Sequence, residues 1–384
     1  MCARLDGEPE LGTTVRYTPP GLVADLAIGD AAGAGNGGRS FGVAHVYRWG
    51  GVTGKVTRLM PASDCPPGSS FEHGGPRSRY LVADKGVGRM SERDGVVIGA
   101  DDRRIGFLER GPADGTKVLY LHGMPASRHE QRFIPEAVLD RFGVRLVSCD
   151  RPGYGATDPH AGNRIARSQD VLTVADHLGV EQFPLMAASA GASYAVTVAA
   201  TAPGRVERLV LSGGQMPYDD ERAVATMLAD QLTLLPFLSG GRNDLVDAGA
   251  ADFRAKILAD PWSLFASSWS SLSAPERAFL EQPEVRTSFE RDVVEGVQAS
   301  AEGLVDDLLA WPQPYEISVG DVCCPVVAVH GASDDWEPLA NLRRVGDLIS
   351  NFELIVLEGR NHLGPLLLPD LLVSLAVRGA TPVS

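Results

Sequence analysis

From Gly95 onward, short apolar runs alternate with stretches of helical period, and this alternation limits the folds open to the chain. The runs Lys117–Leu121, Arg145–Ser148, Phe183–Ala187, Val206–Leu211, Pro325–His330 and Phe352–Leu357 read as strands. Between them lie helical patterns such as Arg164–Leu178 and Ala190–Ala202. Such an order predicts an α/β fold, a mostly parallel sheet flanked by helices. The strands are near-continuous Val/Leu/Ile runs, as expected when both faces are covered. Gly95–Gly111 reads as an antiparallel hairpin turning at Asp101-Asp102.

The alternation breaks once, between about Met216 and Ile317. Helical segments occur there (Glu221–Leu235, Ala251–Leu258, Pro275–Leu280 and Val293–Leu309) without a convincing strand. A helical block inserted after the sixth strand would cover the sheet's C-terminal edge, where open α/β sheets bind ligands. Residues 216–317 are therefore expected to form a lid on a core made of 91–215 and 318–384.

Residues 1–90 differ from this pattern. The first 89 hold 17 Gly and 7 Pro, and no apolar period runs longer than a few residues. A segment of this kind cannot bury enough surface to offset its ordering entropy, so it is expected to be a disordered, dispensable extension, or a stretch upstream of the true start at Met90. Gly33-Ala34-Gly35-Asn36-Gly37-Gly38 satisfies the spacing of a dinucleotide fingerprint but lacks the strand before and the helix after that the fingerprint requires. Gly54-Lys55 fails as a phosphate loop, because Trp49 stands where the first glycine belongs and Val56 where Ser or Thr belongs.

The formal net charge of −14 argues against nucleic acid and anionic membrane surfaces as partners. No run of 18 apolar residues suggests a span, and no secretory signal is visible, so a cytoplasmic protein is expected. Five cysteines without CxxC spacing argue against a disulfide framework or zinc site; they are read as free thiols in a reducing compartment.

Chemistry is concentrated at strand ends. Ala187-Ala188-Ser189-Ala190-Gly191 follows a strand and opens a helix, with small residues two before and two after the serine. That is the pattern of a nucleophile held on a sharp turn, with alanine at the usual first glycine. Ser193, inside the helix, is a poorer nucleophile. His122-Gly123-Met124-Pro125 follows the strand Val118–Leu121, and the Met124 N–H with that of Ala190 would form an oxyanion hole. His122 itself reads as a packed histidine. Asp334, in His330-Gly331-Ala332-Ser333-Asp334-Asp335, is placed to orient an imidazolium; Asp335 is a weaker choice, and Asp219 and Asp220 are minor ones. The base is His362, in the loop after the last strand.

The order Ser189, Asp334, His362 is similar to that of the α/β-hydrolases. Residues 95–378 resemble this superfamily, and Asp150-Arg151-Pro152-Gly153-Tyr154-Gly155-Ala156-Thr157-Asp158 is similar to an element of its lidded esterase, peptidase and C–C hydrolase branches. A serine at 189 sets aside epoxide hydrolases and haloalkane dehalogenases, whose nucleophile is aspartate; a glutamate soon after the histidine is missing. The resemblance implies acyl transfer to water without metal or cofactor. The apolar residues Leu234, Phe237, Leu264, Phe265, Trp269, Phe279, Leu308 and Trp311 point to a small or medium, largely apolar ester-like substrate. Competing readings are an amidase or aminopeptidase, with Asp306 and Asp307 holding an amino terminus if they are not merely solvated, a C–C hydrolase, a perhydrolase, and a non-catalytic ligand-binding protein.

Overall fold

The computed structural model describes residues 14–17, 45–49, 52–56 and 90–378, apart from 228, 266 and 267. Eight strands, β1 (Met90–Ile98), β2 (Arg104–Pro112), β3 (Thr116–Leu121), β4 (Val144–Cys149), β5 (Phe183–Ala188), β6 (Val206–Ser212), β7 (Val326–Gly331) and β8 (Phe352–Leu357), make one sheet in the order β1-β2-β4-β3-β5-β6-β7-β8. Only β1/β2 and β2/β4 pair antiparallel; all other pairs are parallel. The hairpin turn places Asp102 at φ 62°, while the Asp101 carboxylate takes the Arg103 backbone N–H. Thr14–Tyr17 adds a short strand parallel to β8, and His45–Trp49 pairs with Val52–Val56. Gly54-Lys55 falls within this second pair, whereas Gly33–Gly38 and the remainder of the first 89 residues lie outside the described residues.

The sheet carries two apolar layers. On one face β3, β5, β6 and β7 pack against α2 (Arg164–His177) and α3 (Gly191–Thr201), with Phe183, Leu185, Val196 and Leu209 fully buried. On the other face Val118, Met186, Val210 and Val329 meet α1 (Glu136–Phe142) and α11 (Pro369–Arg378). Burial on both sides explains why these strands are legible as unbroken apolar runs.

Between β6 and β7 lie α4 (Glu221–Val224), α5 (Ala229–Ser239), α6 (Asp244–Ala259), α7 (Ala274–Leu280), α8 (Pro283–Gln298) and α9 (Glu302–Ala310); α10 (Leu339–Gly346) follows β7. Two helices expected to be continuous are broken. Glu221–Leu235 splits where Thr226 and Met227 tighten into i→i+3 bonds and Met227 packs with Tyr218 and Ala223. Val293–Leu309 splits because Arg254 takes the terminal carbonyls of Val297 and Gln298, and Ser300 bonds Gly153 O and the Glu302 N–H. Elsewhere caps set the boundaries: Asn243 opens α6, and a Ser273/Glu276 capping box opens α7.

No helix among the described residues is long and apolar enough to cross a membrane. Cys149 and Cys324 are free, but Cys323 is disulfide-bonded, against the expectation that every cysteine is a thiol.

Candidate active site

Ser189 sits between β5 and α3 at φ 47°, a left-handed conformation costly for a residue with a Cβ. The turn is held from both sides: the Ser189 N–H donates to Ser212 O at 2.9 Å, and the Gln215 N–H donates to Ser189 O at 2.9 Å. Gly191 explains the small residue two positions on, since a Cβ there would lie 2.6 Å from the carbonyl oxygens of Leu121 and His122. The start of α3 therefore rests directly on the end of β3, and the Ala190 N–H is at its head.

The His122–Pro125 loop lies against the serine. A Cβ on Gly123 would sit 3.0 Å from Ser189 Cβ. Glu130, not foreseen from sequence, fixes this loop: its Oε2 accepts the Gly123 N–H at 3.0 Å and the Tyr120 hydroxyl at 2.7 Å. His122 is structural, as expected. Its Nε2 accepts the Arg151 N–H at 2.9 Å, which leaves Nδ1 to donate to Gly123 O at 2.8 Å, and burial drives its pKa well below the usual range.

His362 and Asp334 are joined, Nδ1 to Oδ2, at 2.9 Å. The acid is fully committed: Oδ1 accepts the N–H groups of Trp336 (3.0 Å) and Glu337 (2.9 Å), and His330 Nε2 lies 3.2 Å from Oδ2. Burial opposes ionisation of Asp334, but the His362 charge and these donors outweigh it and hold the carboxyl below its ordinary value. Burial likewise works to lower the His362 pKa, and Asp334, Glu337 and Glu130 reverse that and raise it. The histidine loop is anchored by Glu276 of α7, which accepts the Asn361 N–H at 2.9 Å, and by Asn361 Nδ2 donating to Ser271 O.

Serine and histidine converge on one segment. Ser212 and Gln215 hold the Ser189 backbone, and between them a Cβ on Gly213 would meet His362 Nδ1 at 3.3 Å. Of the alternative acids, Asp335 receives no histidine; its N–H donates to Asn361 Oδ1. Asp219 and Asp220 are engaged by Arg344. Ser193 is inside α3, bonded to Ala190 O.

Above His362 stands an aromatic wall. The Trp336 ring lies 4.9 Å from the imidazole centroid and stacks on Phe265, which meets Trp262, Trp269 and Phe289. Phe265 and Trp269 are packed into this cluster, whereas Leu234 and Phe237 are exposed on α5. Asp306 and Asp307 are neither solvated nor free: Asp306 pairs with Arg167 at 2.6 Å, and Asp307 takes Arg151 (2.5 and 2.7 Å) and the Tyr154 hydroxyl (2.7 Å). An open groove of about 660 Å³ between Tyr218, Glu221 and Leu235 contains no residue of this set. Among the described residues, no group of three His, Cys, Asp or Glu is arranged to hold a metal.

The family model for the alpha/beta hydrolase fold matches residues 117–367. The chain is a member of the α/β-hydrolase family. The chain is 32% identical to the magnesium-chelatase 30 kDa subunit of Rhodobacter capsulatus over 145 residues, 35% of the chain and 50% of that protein. It is 28% identical to a haloalkane dehalogenase of Mycolicibacterium paratuberculosis over 31% of the chain and 40% of that protein. A putative carbamate hydrolase, RutD of a Caulobacter species, is 25% identical over 66% of the chain and 91% of its own length. An esterase from Exiguobacterium antarcticum superposes with a TM-score of 0.55 at 19% identity, covering 73% of this chain and 98% of the esterase.

Proposed function

We propose that this hydrolase works through a Ser189–His362–Asp334 triad on a small or medium, largely apolar ester-like substrate. His362 takes the Ser189 proton as the hydroxyl attacks the carbonyl, and Asp334 stabilises the imidazolium that forms. The Met124 and Ala190 amides receive the oxyanion, helped by the positive end of α3. His362 then protonates the leaving group and activates water to release the acyl enzyme. The helices between β6 and β7 act as the lid, and the aromatic cluster that meets His362 through Trp336 gives the site an apolar side.

The observation that carries this reading is the left-handed Ser189, held by the segment on which the Asp334-bonded His362 rests. An ester substrate is favoured over an amino terminus because Asp306 and Asp307 are already consumed by arginines. Ser189→Ala is expected to lower turnover of p-nitrophenyl butyrate by roughly a thousandfold or more. Unchanged turnover by a folded variant would remove Ser189 from the mechanism.

A further inference from the structure

A second carboxyl stands behind the acid of the proposed triad. Glu337 is buried, with Oε1 accepting Gln215 Nε2 at 2.5 Å and Oε2 lying 3.5 Å from the Tyr218 hydroxyl. Its backbone N–H donates to Asp334 Oδ1, and its carbonyl oxygen lies 2.8 Å from His330 Nε2. Gln215, in turn, donates its own N–H to Ser189 O. Glu337 therefore closes a ring of contacts that runs from the nucleophile turn through Gln215 to Asp334 and His362. No arginine or lysine is hydrogen-bonded to its carboxyl among the described residues; the groups acting on it are His362, Asp334, Gln215 and Tyr218, while His330 meets only its backbone carbonyl.

We infer that Glu337 is a positioning residue that carries a switchable charge: neutral, it braces Gln215 and Asp334; ionised, it adds a negative charge that favours the His362 imidazolium. The inference rests on the reading of Ser189 and His362 as nucleophile and base. Burial pushes the Glu337 carboxyl up to about 8, with His362 drawing it down and Asp334 pushing it up again. At neutral pH the group keeps its proton, and above about 8 it loses it. The imidazolium exists only while a proton is in transit, so a charge gained behind Asp334 stabilises the transition state more than the resting neutral imidazole.

The pH dependence of kcat then has two rising steps. The first accompanies deprotonation of His362, which makes the base available. The second, near pH 8, accompanies ionisation of Glu337. The added charge favours the imidazolium, and the second rise is expected to be about three- to tenfold. The test is kcat of the full-length protein on a p-nitrophenyl ester from pH 5 to 10, corrected for hydroxide hydrolysis, for wild type and Glu337→Gln. The wild type is expected to show both steps and Glu337→Gln only the first. In parallel, the His362 ring resonance of the wild type, assigned by its loss in His362→Asn, is expected to titrate in two steps; this readout needs no folded Glu337 variant. A single step in the wild-type profile and in the His362 resonance overturns the inference. Ser189→Ala separates the two claims. If it is inactive while wild type and Glu337→Gln superimpose, only the role of Glu337 falls; if it is fully active, the triad falls and the inference with it.

Discussion

Asp334 and Asp335 are adjacent acids with opposite surroundings. Asp334 faces inward and gathers two backbone N–H groups and the His362 ring, whereas the Asp335 carboxylate meets no histidine. Asp334→Asn removes the charge that holds the imidazole in its working tautomer and stabilises the imidazolium. It should lower kcat by about 10⁴-fold, with KM little changed, and Asp335→Asn should cost far less. Steady-state kinetics on one ester decide between them, and equal losses would contradict the assignment. The sequence narrows the acid to this loop but separates the pair only weakly, because the choice is made by a turn closed with the N–H groups of Trp336 and Glu337. Glu130, Glu337 and Trp336 are not legible at all. Glu337 and Trp336 owe their places to partners distant in sequence, Gln215 and Phe265, and Glu130 owes its place to a loop that folds it back onto Gly123 and Tyr120.

Elements were legible where one physical demand dominates. The six parallel-sheet strands of the core are buried on both faces, and their apolar runs mark them to within about two residues, the usual boundary scatter. The helices of the insertion have mixed faces and end on tertiary contacts such as Arg254 with Val297 O, so their breaks leave no local mark. The same region hides its main anchor. Gly153-Tyr154-Gly155 docks on α8 and α9: Gly155 N–H bonds Gly296 O, and the Tyr154 ring leaves no room for a Cβ on Gly303. Beside it the fully buried Arg151–Asp307 pair ties α9 to the loop after β4. Asp307→Ala would strand a buried guanidinium and should destabilise the protein by roughly 3–5 kcal/mol, read as a lower urea midpoint. Replacing both partners, as Arg151→Met with Asp307→Leu, should recover part of that loss. An unchanged midpoint in Asp307→Ala would mean that the pair does not hold the insertion.

Across the whole molecule, the sheet brings the head of α3 and the loop after β8 to one edge, so residues far apart in the chain share the Ser212–Gln215 segment. The insertion lies over that edge through the aromatic wall and through Glu276, which grips the His362 loop directly. The insertion thus holds the His362 loop at two points, Glu276 of α7 and the Ser271 carbonyl just before it. The parallel order of the sheet and the family assignment follow from residues 90–378, whose alternation is visible in sequence. The glycine-rich first segment follows composition alone, which left its short strand Thr14–Tyr17 beside β8 without a sequence signal. The most direct measurement is active-site labelling of the full-length protein with a fluorophosphonate, followed by peptide mapping. One adduct is expected, on Ser189, formed faster as pH rises through the His362 titration and lost in His362→Asn. An adduct on another residue, or labelling of Ser189 at a rate indifferent to His362, would contradict that expectation.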